Sequence, residues 1–298
     1  MSQFNIRSIT DNFEYSYLPS NFEEKQLTSF SEWIYTGHHT NINKKMNSEI
    51  NSEWIIRNYL STKMILAATV MLNSLDYAKQ KNLKVVVPYL SYYSLLTCCR
   101  ALLYSVPYNI WKPDNEKNPK NKNNPFLEPA HDRVIKLTKD YLNHLDKDFA
   151  EKIFTNMKKL KEWRELFSYK FPASGVNDNE EYPYGDLIES CGILCELAQL
   201  SSEQLQKYIF KNCINNFEEW IVTTEKLEVG YKYKTIIDKE DWYRIDYIKR
   251  RQPFPANIYY TMTEGMVEDY FDSWLAENDS DEIFNDYDLD WRLIFPCP

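Results

Sequence analysis

The run PYLSYYSLLTCCRALLY, from Pro88 to Tyr104, decides the fold. A helix drawn through it is apolar on nearly every face, which is the pattern of an element enclosed by neighbours and not of one laid on a surface. Pro88 suits its first turn, where a missing N–H has no intrahelical partner to lose, and Pro107 ends it. One residue breaks the pattern. Arg100 places a cation in the middle of the run, where it must find a carboxylate or line a cleft, because a stranded buried charge is strongly destabilising.

Working outward, Ser48 to Lys81 repeats apolar residues at three- and four-residue steps with no internal Gly or Pro, predicting a long helix with a possible break near Ser61. Beyond Pro107, Lys112 to Asn124 is rich in Lys, Asn and Pro and reads as a solvated loop. Helical spacing resumes over Ala130–Leu145 and again over Lys147–Tyr169, the latter ending in Trp163-Arg-Glu-Leu-Phe-Ser-Tyr169 before Phe171 and Pro172. Tyr184 to about Cys213 predicts a last long helix. Four or five helices joined in this way make a helical bundle, so the chain is expected to be mainly α.

The flanks differ from this body. Residues 1–46 are polar with scattered aromatics and read as an irregular segment packed on the bundle, with His38 and His39 in a surface loop after Gly37. Near the other end, Val229–Ile237 and Trp242–Ile248 alternate with period two and predict the two strands of a β-hairpin in a small α+β extension. Glu264 to Asp290 then carries eleven acidic residues and no Lys or Arg, although Met266, Val267, Tyr270, Phe271, Trp274 and Leu275 give it an amphipathic face. The net charge of −9 is therefore concentrated in one segment.

Composition narrows the function classes. The chain has 298 residues, 43% of them hydrophobic, enough to bury a sizeable core, and only 6 glycines against 23 tyrosines. Neither G-x-G-x-x-G nor a Walker loop occurs, so phosphate cradling by a Gly-rich turn is not expected and no cofactor is implied. No apolar run is long enough to span a bilayer and no secretory leader opens the sequence, so the expectation is a cytoplasmic protein with no membrane partner. The six cysteines form no CxxC pair and read as buried hydrophobes in a reducing compartment, with no metal site. The four histidines, His38, His39, His131 and His144, fit neither H-E-x-x-H nor a serine-hydrolase pattern.

With those residues in view, the Pro-x-Leu-x-Tyr-Tyr-x-Leu-Leu-x-x-x-Arg-Ala-Leu-Leu helix and the long amphipathic helix before it resemble the paired central helices of the HEPN superfamily. The resemblance is strongest to its larger YaaC-like form and covers about residues 47–213. It implies an HEPN-like helical domain over 47–213, between the N-terminal segment 1–46 and a C-terminal extension 214–298. It further implies a prokaryotic antiviral-defence or toxin-type protein, a homodimer, that cuts RNA without a metal through an Arg, four to six residues, then His. Here the nearest match is Arg164 to Tyr169, with Tyr in place of His. The expected catalytic set is Arg164 stabilising a phosphorane, with Tyr169 and Arg100 in support.

Two other surfaces are candidates. Tyr243, Tyr247, Lys249, Arg250 and Arg251, with Arg244 and Phe254 beside them, interleave rings and cations as single-strand binders do, the rings for bases and the cations for phosphates. The acidic aromatic segment, through Asp279, Asp281 and Glu282, is a docking surface for a protein partner such as an antitoxin. This supports the rival expectation of a non-catalytic scaffold subunit.

Overall fold

The computed structural model describes residues 15–43, 46–107, 130–172, 186–213, 222–251, 254–274 and 292–296. The chain is mainly helical, with a small two-stranded antiparallel sheet toward the C-terminus. Its elements are α1 (Tyr17–Asn21), α2 (Glu24–Ile42), α3 (Ser48–Gln80), α4 (Val87–Ser105), α5 (His131–Leu142) and α6 (Lys147–Glu165), which runs on into a π-helical turn (Leu166–Lys170). After α7 (Leu187–Asn212) come α8 (Thr224–Leu227), a 3-10 turn, β1 (Lys232–Tyr233), β2 (Ile236–Ile237), α9 (Lys239–Arg251), α10 (Ile258–Thr261) and α11 (Glu264–Asp272).

The Pro88–Tyr104 run is the centre of the bundle, as its all-round apolarity predicts. α4 packs against α3, α5, α6 and α7, and Tyr92, Leu95, Leu96, Cys98, Cys99, Ala101, Leu102 and Leu103 are at most 1% exposed. The long helix before it is unbroken. Ser61 does not interrupt α3 because its hydroxyl donates to the Ala101 carbonyl across the α3/α4 interface at 2.7 Å, so the polar group is satisfied inside the core. Helix starts coincide with side-chain caps: Asn47 accepts from the Ile50 N–H, and Asp146 from the Phe149 N–H. All five described cysteines are buried, as expected of small hydrophobes.

Three expectations are corrected. The segment 1–46 is not irregular where it is described: α1 and α2 occupy most of 17–42, and α2 packs on α7. A capping box of Glu23 with Gln26 starts α2, and a buried stripe of Phe30, Ile34 and His38 carries it onto the bundle. His38 is therefore a core residue, while His39 beside it is exposed.

The third correction concerns the hairpin. Both strands lie inside the first alternating segment, pairing Lys232 with Ile237 and Tyr233 with Ile236, and Trp242–Ile248 belongs to helix α9. The sequence there satisfies both periods, and burial decides between them. Asp241, Arg244, Ile245 and Ile248 face inward at three- and four-residue spacing. The Asp238 carboxylate accepts from the Asp241 N–H at 3.1 Å, holding the first turn, and Lys249, Arg250 and Arg251 suit the negative end of the helix dipole.

One hydrophobic cluster runs from Leu18 through Phe295, so helices from both ends of the chain close over the same core.

Candidate anion site

Helix periodicity turns Arg164 toward the central helix α4, which carries Tyr92 and Arg100. Along α6 the buried stripe is Ala150, Ile153, Met157 and Leu160; Arg164 is its next member, so it points at α4 and not at solvent. Its guanidinium carbon lies 5.3 Å from the ring centre of Tyr92 on α4. The side chain is 15% exposed, and its Nε is buried without a hydrogen-bond partner among the described residues.

On the other side of Tyr92, α5 begins with His131, at the head of a stripe continued by Val134, Ile135 and Thr138. The Tyr92 hydroxyl meets His131 Nδ1 at 2.9 Å, and the rings of Tyr92 and Tyr93 flank the imidazole at 5.7 and 5.9 Å. Arg100, on the same helix as Tyr92, acts on this pair as well. Desolvation, then the charges of Arg100, Arg164 and Lys161, hold the His131 pKa below the ordinary imidazole value, with Asp132 opposing. Burial pushes the Tyr92 phenol well up despite Arg164 and Arg100. Near neutral pH the site thus holds a neutral imidazole against a protonated phenol.

Two carboxylates share this surface. Lys161 Nζ lies 2.6 Å from Asp132, and Arg164 Nη2 lies 3.2 Å from Glu165. Arg164 therefore has a carboxylate neighbour, and its charge acts on the same Tyr92–His131 pair as that of Arg100. Among the described residues, Lys161 and Arg164, each with a carboxylate neighbour, and Arg100 act on one titratable base. Such a cluster has the chemistry to meet an anion and exchange a proton with it. With Nδ1 engaged by Tyr92, Nε2 is the ring nitrogen left for a ligand. In the tautomer whose Nδ1–H donates to the phenol oxygen, Nε2 carries the free lone pair.

Tyr169 does not join the cluster, which corrects its expected supporting role. It lies on the π turn and is 75% exposed. On the same turn the Ser168 hydroxyl, also exposed, donates to the Arg164 carbonyl at 2.8 Å and can accept from the Tyr89 hydroxyl at 3.2 Å. The histidine that a linear motif search misses is His131, 39 residues from its partner Tyr92. The available signal was the stripe on α5, which sets His131 inward, and nothing in local spacing links it to Arg164.

The other candidates fall out differently. Tyr243, Tyr247, Arg250 and Arg251 share an exposed face of α9, with Lys249 partly covered, but as a helix face and not as a strand. Part of its charge is engaged internally: Arg250 pairs with Asp246 at 3.0 Å, and Arg251 lies 5.9 Å from the Tyr247 ring. Arg244 is buried and directed toward Asp241 and Tyr270, so it cannot meet a phosphate. A surface cavity of about 320 Å³ lies beside this helix, lined by Glu228, Tyr231, Lys232, Ile237, Lys239 and Trp242. Asp279, Asp281 and Glu282 lie outside the described residues. Among the described residues no group of three or more His, Cys, Asp or Glu is placed to hold a metal ion, and no helix is long and apolar enough to cross a membrane.

Comparison of the chain with protein-family models, curated proteins and solved structures returns no match.

Proposed function

We propose that the cluster of Arg164, His131 and Tyr92, with Arg100 on the same central helix, binds an RNA phosphodiester, and that the chain is an HEPN-like, metal-independent ribonuclease of a prokaryotic antiviral-defence or toxin-type system. The observation that carries this reading is the cluster of Arg164, Tyr92 and His131, in which the charges of Arg100 and Arg164 help to lower the imidazole pKa. It supplies, from a different helix, the histidine that the Arg164–Tyr169 motif lacks.

In the proposed reaction His131 Nε2 takes the proton of the ribose 2′-hydroxyl, and the 2′-oxygen attacks the adjacent phosphorus. The bond from phosphorus to the 5′-oxygen breaks, and that oxygen takes a proton from water, leaving a 2′,3′-cyclic phosphate. Arg164 and Arg100 stabilise the charge on the phosphorane oxygens. Tyr92 orients the imidazole through Nδ1, as a positioning residue.

The test is cleavage of a labelled RNA oligonucleotide by the purified full chain. His131→Ala and Arg164→Ala are each expected to lower the rate about a hundredfold or more, with far-UV circular dichroism unchanged. Because the imidazole pKa is depressed, the base stays unprotonated below pH 6.5. The acid limb of the rate profile should therefore lie below that pH. Cleavage that survives either substitution, or none by the unaltered chain, removes the reading. It also carries the expectation of a homodimer, which light scattering measures.

A further inference from the structure

Beyond the His131 imidazole, aromatic side chains continue along the surface of the bundle. Tyr93, half-buried on α4, sets its ring centre 5.9 Å from that of His131, with the two planes at 89°. Tyr89, also half-buried, stands four residues earlier and therefore one turn along the same face of α4. Its hydroxyl meets Ser168 Oγ at 3.2 Å, which ties α4 to the π turn that follows Arg164. On that turn and just after it, Tyr169 and Phe171 are 75 and 68% exposed. A row of four rings thus leads from His131 to the end of the π turn.

The last ring of the row is held in place. The Phe171 N–H donates to the Leu166 carbonyl at 3.0 Å, closing the π turn. Its φ of 42° lies in the left-handed region, which bulky side chains rarely adopt. The Phe171 ring centre is 6.5 Å from that of the buried Phe167. Phe167 in turn lies 6.3 Å from Trp163, the residue before Arg164, with the two planes 22° apart. A strained backbone that fixes a large apolar ring in solvent adds nothing to the core by exposing it, so its role lies in what the ring meets.

Rings in succession beside a phosphate-binding arginine are the arrangement that holds unpaired bases, because every base has a π face and stacking tolerates any sequence. We propose that Tyr93, Tyr89, Tyr169 and Phe171 form a stacking track for the bases on one side of the scissile phosphate, so that the substrate is a single-stranded segment. In a duplex both faces of each base are covered by its neighbours, which leaves nothing for the rings to meet. The track rests on the phosphodiester reading of the Arg164 and His131 cluster, with which it is continuous. It gives Tyr169 and Phe171 a part in holding the substrate and none in the reaction.

The experiment is fluorescence anisotropy of the full chain with a labelled RNA strand whose sugars carry fluorine in place of the 2′-hydroxyl, so that it binds without being cut. Phe171→Ala and Tyr169→Ala are each expected to weaken binding by about fivefold or more, with the far-UV spectrum unchanged. Phe171→Trp should retain it, and Tyr233→Ala on the hairpin should leave it unaltered. The same strand lacking several successive bases keeps its phosphates and should bind the unaltered chain as weakly as the intact strand binds Phe171→Ala. Equal affinity for the intact and the base-free strand, indifference to both ring substitutions, equal loss with Tyr233→Ala, or no binding of the intact strand overturns the track. If RNA is still cut while the ring substitutions change neither binding nor rate, the track falls and the reaction stands. If the uncut strand binds through Phe171 and its bases but no RNA is cleaved, the track stands and the reaction falls.

Discussion

His38 and His131 carry the same side chain into opposite environments. His38 is fully buried on α2, and its Nε2 donates to the Ser201 carbonyl at 3.3 Å; a carbonyl can only accept, so the tautomer is fixed. Burial first, then the nearby Arg57 charge, lowers its pKa to about 3. Unfolding returns the imidazole to its ordinary pKa of about 6.5. The unfolded chain therefore binds the extra proton between those values, and stability is full above pH 6.5 and falls as pH drops toward 3. The ceiling on this loss is about 4 to 5 kcal/mol. His38→Gln keeps a donor for Ser201, and it should flatten the pH dependence of the urea midpoint across that window while lowering the midpoint at pH 7. Neither histidine's environment was legible locally. Gly37-His-His-Thr40 looks like a turn until Phe30 and Ile34 are counted with His38 as one stripe, and His131 gains chemistry only from Tyr92, Arg100 and Arg164 on other helices.

At the scale of elements, polar side chains finish helices that apolar periodicity begins. Arg57 on α3 is 2% exposed. Its Nε donates to the Tyr104 carbonyl at 2.8 Å and its Nη2 to the Val106 carbonyl; Glu53 lies 3.5 Å from Nη1, and the Trp54 ring is stacked against the guanidinium at 3.9 Å. It therefore satisfies carbonyls left over at the end of α4. Its replacement in Arg57→Met should cost about 3 to 5 kcal/mol in urea unfolding, because the carbonyls and Glu53 lose their partner inside the protein. α9 shows the limit of period reading. Trp242, Arg244, Asp246 and Ile248 alternate as a strand would, while Asp241, Arg244, Ile245 and Ile248 repeat as a helix does, and only the surface available on α3 and α11 selects the second. Asp238→Ala removes the carboxylate that accepts from the Asp241 N–H, and should cost about 1 kcal/mol, read as earlier loss of helical signal on heating.

In the whole molecule, the C-terminal elements attach to the bundle as much by buried polar bonds as by apolar contact. Asp241 accepts from the Tyr59 hydroxyl at 2.7 Å and pairs with Lys63, both on α3. Gln199, Ser202 and Gln206 on α7 accept from the backbone N–H groups of Tyr259, Ile258 and Asn257. Asp241→Ala should therefore lower stability by about 3 kcal/mol and speed amide exchange in 239–272 before the central helices respond, which hydrogen exchange resolves. The sequence by itself determined that this chain is a helical bundle around Pro88–Tyr104, with long flanking helices and buried cysteines, because apolar period and proline placement are local quantities that tolerate few alternatives. It singled out Arg100 for the same reason, as a charge on an apolar helix, and Arg164 through the resemblance of Arg164–Tyr169 to a family motif. Only the tertiary structure decided that Arg100 and Arg164 act on one Tyr92–His131 pair, that the exposed Tyr169 takes no part in it, and that residues 239–251 are helical. Each of those outcomes depends on which helix lies beside which, a long-range choice set by packing complementarity that no local period encodes.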